Sequence, residues 1–198
     1  MVVAMAADPP VHHGRPFTRA DLEDVPDDGH RYEIIDGTLI VSAAPSRLHQ
    51  RAAFALARLL HAACPADFEV LVAPFAVGLA DDTEMEPDVL VGRDVDFTDK
   101  DLPAPPVLAV EVLSPSSRLI DTHVKRERFE RAGTPSYWVV DPVAHPDQAR
   151  LVAWELGDDG HYREVATVVG EKEFLAEKPF PVTVVPADLV RKPGGAPR

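Results

Sequence analysis

Apolar positions along the chain fall into two periods, and the period assigns most elements. Over 46–64, Leu48, Ala52, Ala55, Leu56, Leu59, Leu60 and Ala63 recur at helical spacing, which predicts an amphipathic helix closed by Pro65. Runs 31–35 and 38–42 flank Asp36-Gly37, a pair that supplies the positive φ angles of a tight turn, so they predict a hairpin with Glu33 on its first strand. Ahead of it, Thr18 reads as the N-cap of a short helix reaching Val25 and ended by Pro26-Asp-Asp-Gly29. Runs 68–72 and 75–79 predict short strands interrupted at Pro74, leading through Asp81-Asp82 toward a central sheet.

Two further runs, 88–91 and 107–113, are continuous rather than alternating, as in sheet strands covered on both faces. Between them 92–106 is rich in Asp and Pro and reads as a surface loop. Ser116-Ser117 can cap a helix over 118–132, with Gly133 ending it. A buried strand over 136–141, a hairpin 150–156/161–169 around Gly157-Asp-Asp-Gly160, and a last strand over 180–185 complete the chain. Helices and strands are mixed without strict alternation, which predicts a mixed α/β (α+β) fold with one central mixed β-sheet flanked by helices. A single domain over 17–190 is expected, with 1–16 and 191–198 as flexible tails.

Composition narrows the class. The 198 residues are 45% hydrophobic and 27% charged, ordinary for a soluble globular domain. No apolar run approaches the roughly 20 residues of a membrane span, and the first residues lack the basic start of a secretory signal, so a cytoplasmic protein without a membrane partner is expected. The one cysteine, Cys64, reads as an inert buried thiol. A net charge of −13 counts against strong non-specific nucleic-acid binding, which needs many cations, yet suits a site that collects a divalent metal.

The two central runs each break their own pattern with a carboxylate, Asp88 and Glu111. An ionised carboxylate in such a strand is costly unless something compensates it. Side-chain alternation sets Ala109, Glu111 and Leu113 on one face and Val110 and Val112 on the other. If the two strands pair, Asp88 and Glu111 converge, and a divalent cation would relieve their repulsion. Separate salt bridges or loop caps would also accommodate them. On the next helix Asp121, Lys125 and Phe129 follow at four-residue spacing, so Lys125 leans toward the sheet, while Arg126, Arg128 and Arg131 fit a surface role that includes phosphate contacts.

The run Tyr32-Glu-Ile-Ile-Asp-Gly37, then Pro45 and His49, Pro87-Asp88-Val-Leu-Val, Val110-Glu-Val-Leu-Ser-Pro115, Asp121 to Lys125, and Ala132-Gly-Thr-Pro-Ser-Tyr-Trp-Val-Val-Asp-Pro142 resembles the Uma2 family of the PD-(D/E)XK nuclease superfamily. The resemblance implies a restriction-endonuclease-like core. It implies an endonuclease that hydrolyses phosphodiester bonds in nucleic acid, DNA first, with Mg²⁺ or Mn²⁺ held by Asp88, Glu111 and the carbonyl of Val112. Leu113 stands where the simple motif places its lysine, and Lys125 takes that part, with Glu33 as an additional acid. His49 and Asp121 are accessory candidates. A homodimer is expected by analogy. The rival readings are an inactive nuclease fold serving as a binding or regulatory module, and a metal-dependent hydrolase of a smaller phosphate compound.

Overall fold

A computed structural model describes residues 14–192; residues 1–13 and 193–198, where most of both expected tails fall, lie outside the described residues. In chain order the elements are β1 (Arg31–Ile35), β2 (Thr38–Ser42), α1 (Arg47–Ala63), β3 (Phe68–Val72), β4 (Ala76–Ala80), β5 (Thr83–Met85), β6 (Val89–Arg93), β7 (Asp101–Leu102), β8 (Leu108–Val112), α2 (Arg126–Ala132), β9 (Ser136–Asp141), β10 (Arg150–Leu156), β11 (Tyr162–Val169), β12 (Phe174–Ala176), β13 (Val182–Val184) and α3 (Pro186–Val190). The fold is mixed α/β, with mixed sheets flanked by few helices.

The strands divide between two main sheets where the sequence predicted one. A six-stranded sheet runs β11-β10-β9-β8-β6-β3 and a five-stranded sheet runs β2-β1-β5-β4-β7, while β12 and β13 pair by themselves. In the larger sheet β8 is internal, antiparallel to β6 and parallel to β9. Both of its faces are covered, which is why its sequence does not alternate. On one face Val89, Val91, Leu108, Val110 and Val112 receive Ala52, Leu56 and Leu60 of α1. On the other, Leu90, Ala109, Leu113 and Val139 meet Phe129 of α2 together with Ile35, Val77 and Met85 of the smaller sheet.

The chain passes from the smaller sheet to the larger through Glu86-Pro87-Asp88, between β5 and β6. Pro87 has no N–H to give a ladder, so this tripeptide suits a point where pairing changes hands. β4 belongs to the smaller sheet because it pairs with β5 ahead of that crossing.

Local departures have local causes. The expected helix after Thr18 is a 3₁₀ turn, Arg19–Asp24, where the Thr18 N–H donates to the Asp21 carboxylate at 2.7 Å. The expected loop 92–106 carries β7, which pairs parallel with β4. The helix over 118–132 forms, but Ile120–Lys125 is π-helical and only Arg126–Ala132 is regular α-helix. Gly133 closes it at φ 83°, a left-handed conformation that favours glycine. β12 and α3 were not predicted, both being too short for a periodic signal. Among the described residues no helix is long and apolar enough to cross a membrane.

Candidate active site

The crossing point gathers charge. One step beyond the last paired residues, Val89 and Val110, Asp88 stands opposite Glu111 in the β6–β8 register. Asp88 is held on three sides: Oδ2 accepts the Val112 N–H at 2.7 Å and lies 3.1 Å from His49 Nε2, and Oδ1 accepts from Arg31 Nη1 at 3.0 Å. His49 reaches it from the first turn of α1, where the Ser46 hydroxyl accepts the His49 N–H at 3.2 Å and caps the helix.

Glu111 is fully buried and its Oε1 accepts from Lys125 Nζ at 3.1 Å. The same ammonium donates to Glu33 Oε1 at 2.7 Å and lies 3.9 Å from Asp121 Oδ1. Lys125 is 1% exposed. Glu33 comes from β1 and also accepts the Glu86 N–H at 2.8 Å, which ties the hairpin to the crossing. Arg31, two residues earlier on that strand and so on the same face, lies 3.6 Å from Glu33 Oε2 through Nε and links the Lys125 group to Asp88. The Tyr137 hydroxyl donates to the Asp121 carbonyl at 2.6 Å and anchors the π-helical turn to the sheet.

The balance of this group is negative: among the described residues Glu33, Glu86, Asp88, Glu111 and Asp121 face only Lys125 and Arg31 as fixed cations. Burial pushes the Glu111 carboxyl well above its ordinary value, with Lys125 opposing and Asp121, Asp88 and Glu33 reinforcing. Burial likewise raises Asp121, and together with Glu33 it brings Glu86 up to about 7. Lys125 goes the opposite way from most buried lysines, because the charges of Glu111 and Glu33 outweigh the desolvation that would lower it. Asp88 too resists burial: the His49 hydrogen bond, Arg31 and the Val112 N–H hold it below the ordinary range. Among the described residues, Glu33 Oε2, Glu111 Oε2 and His49 Nδ1 are buried without a hydrogen-bond partner.

A cleft of about 1070 Å³ opens onto this group. Arg31, His49, Glu86 and Asp88 lie on its wall, with Ser114, Ser116 and Ser117 of the β8–α2 loop and the exposed ring of Phe54.

The structure thus brings together Glu33, His49, Asp88, Glu111, Asp121 and Lys125, all singled out in the sequence. Val112 contributes its N–H to Asp88. Leu113 lies on the Glu111 face as alternation requires, packed in the apolar cluster. Sequence reasoning missed Arg31 and Glu86. Both had a partial signal, since alternation sets Arg31 beside Glu33 and Glu86 beside Asp88 at i, i+2; that the Glu86 N–H meets Glu33 depends on the second sheet. No three His, Cys, Asp or Glu side chains among the described residues are grouped to hold a metal.

Comparison with solved structures gives the class first. The chain shares its fold with a protein described as "a putative nuclease belonging to DUF820 from Anabaena variabilis ATCC 29413", with a TM-score of 0.67 at 15% identity, over 88% of this chain and 98% of that one. The two chains therefore share one fold. The profile of the family Uma2, described as "Putative restriction endonuclease", matches residues 19–188, and the chain belongs to that family. No curated protein matches the chain.

Proposed function

We propose that the chain is a metal-dependent nuclease that hydrolyses phosphodiester bonds in nucleic acid, DNA first, with residues 17–190 acting as one catalytic domain. The observation that carries the reading is Glu111: fully buried, opposite Asp88, with Oε2 unpartnered in a pocket where carboxylates outnumber cations. Such an excess is relieved by protonation or by a cation, and a hard divalent ion prefers an all-oxygen donor set of this kind. Asp88 and Glu111, with the Val112 carbonyl, would hold Mg²⁺ or Mn²⁺, which when bound supplies Lewis-acid polarisation of a phosphate and acidification of water.

The remaining residues have work of their own. Lys125 keeps a full positive charge beside Glu111 and out of bulk water, where one ammonium offsets developing negative charge far better than it could at the surface. Glu33 and Asp121 fix the direction of that ammonium. His49 and Arg31 keep Asp88 ionised and oriented toward Val112. Two copies would reach the two strands of a duplex, so the reading includes a homodimer, and a cytoplasmic setting goes with its substrate.

The test is cleavage of labelled single- and double-stranded DNA with Mg²⁺ or Mn²⁺ against EDTA, beside calorimetric titration of each metal. Metal-dependent cleavage lost in Glu111→Gln supports the reading; robust Mn²⁺ binding without cleavage of any nucleic acid overturns it. The cleft wall favours one second reading, since Asp27, Glu84, Glu86 and Asp88 face only Arg31 among its lysines and arginines. A hydrolase of a small phosphate ester tolerates that wall better than a polymer does, and its rate would not depend on oligonucleotide length or salt.

A further inference from the structure

Beside the cleft, sharing Leu113 with it, lies a second pocket of about 230 Å³ whose charge is reversed. Arg118, Arg126 and Arg150 line it against two carboxylates, Asp141 and Glu164. In a chain of net charge −13 this is a local exception. Its floor is the Glu111 face of the larger sheet: Glu111 is in register with Val139, Val139 with Val152, and Arg150 and Trp154 flank Val152 two residues to either side. Val152 therefore stands two strands from Glu111, roughly 10 Å at ordinary strand spacing, and Arg150 and Trp154 about 12 Å.

The arginines of the helix separate by partner. Arg128 and Arg131 pair with Asp36 in the β1–β2 turn and tie α2 to the smaller sheet. Arg118 is shared with Asp141 at 2.9 Å. Arg126 makes no ion pair with any described residue and instead lies over the Trp154 ring, 5.2 Å from its centroid. Arg150 likewise has no carboxylate partner among the described residues and is exposed. A guanidinium parked on an indole is oriented without being neutralised, so its donors stay available for an anion.

We infer that this pocket is a phosphate subsite, in which Arg126 and Arg150, with Arg118 at the rim, grip a backbone phosphate next to the scissile bond. The inference rests on the nuclease reading and adds where the polymer runs: out of the acidic cleft, over the Leu113–Ser117 loop, and onto the basic wall beside the site. A phosphate there would be held by charge and bidentate geometry and would carry no sequence information.

The test is anisotropy of a labelled oligonucleotide, single-stranded and duplex, binding the full chain in EDTA across a salt series, with Arg126→Gln/Arg150→Gln, Arg126→Lys/Arg150→Lys and Glu164→Gln. The Gln pair should weaken binding equally for unrelated sequences and flatten the slope of log K against log salt by about 0.7–0.9 per lost contact. The Lys pair should restore the slope and part of the affinity. Glu164→Gln removes an exposed carboxylate and should tighten binding several-fold, an outcome misfolding cannot mimic. A parent that binds and cleaves, with all three variants unchanged, overturns the subsite and leaves the nuclease reading standing. A parent that neither binds nor cleaves oligonucleotides overturns both.

Discussion

At the scale of single residues, the two acids that look equivalent in the sequence are held in opposite ways. Asp88 is surrounded by donors, whereas Glu111 has one cation and an unpartnered oxygen. Glu111→Gln should therefore abolish tight Mn²⁺ binding while leaving the metal-free fold as stable as the parent or more so, since it removes a charge from a dry, acid-rich pocket. Asp88→Asn should lose Mn²⁺ too but destabilise the fold by about 1–3 kcal/mol, because it weakens the acceptor for Arg31, His49 and Val112 together. Calorimetry and urea unfolding on the same pair check both halves, and equal stability losses would contradict the asymmetry. Lys125→Met strands Glu33 and Glu111 without their shared cation, an expected cost of about 3–5 kcal/mol for a broken buried pair. Cleavage should fall by about 10²–10³ with it. Asp88 and Glu111 were legible because each violates the apolar pattern of its own strand, and Lys125 because four-residue spacing sets it on the Phe129 side of its helix. That Asp88 is the satisfied acid was not, since Arg31 and His49 reach it from elements distant in the chain.

At the scale of elements, the strands and the long helix could be read from period and turn residues, as the hairpin around Asp36-Gly37 and the α1 stripe show. The π-helical stretch Ile120–Lys125 could not. Four-residue spacing of Asp121 and Lys125 fits a regular helix equally well, and only packing against Tyr137 and the two sheets reveals the wider turn that buries both side chains. Nor could the division into two sheets be read, because β5 is three residues long and its pairing partner β1 lies some fifty residues away. One element has a direct bearing on the site: the Ser46 cap fixes the turn of α1 that carries His49. Ser46→Ala should cost about 1 kcal/mol in urea unfolding. It should also raise the metal concentration needed for half-maximal cleavage, while Ser46→Asp, which restores a capping acceptor, should recover the stability.

At the scale of the whole molecule, the excess of buried carboxylates makes stability depend on pH in an unusual direction. Glu86, brought up to about 7 from an ordinary 4.5, keeps its proton in the folded state where the unfolded chain has released it. Glu111 and Asp121 are raised in the same sense. A raised folded value contributes stability that is complete below the unfolded value and lost as pH rises through the folded one. In EDTA the melting temperature should therefore climb as pH falls from about 8 toward 5, and turn over only at lower pH, where Asp88, held below its ordinary value, must be protonated against its donors. On the proposed reading a bound divalent ion would take over what those protons do. Saturating Mn²⁺ at pH 8 should raise the melting temperature by mass action and flatten the slope between pH 5 and 8, because metal and protons compete for the same carboxylates. Glu111→Gln should show a shallower slope in EDTA and little response to Mn²⁺. Thermal melts of the two proteins at three pH values, with and without Mn²⁺, measure all of this. A parent whose melting temperature rises with pH over that window would show the acids paired rather than crowded, and would remove the electrostatic case for a cation at the sheet crossing.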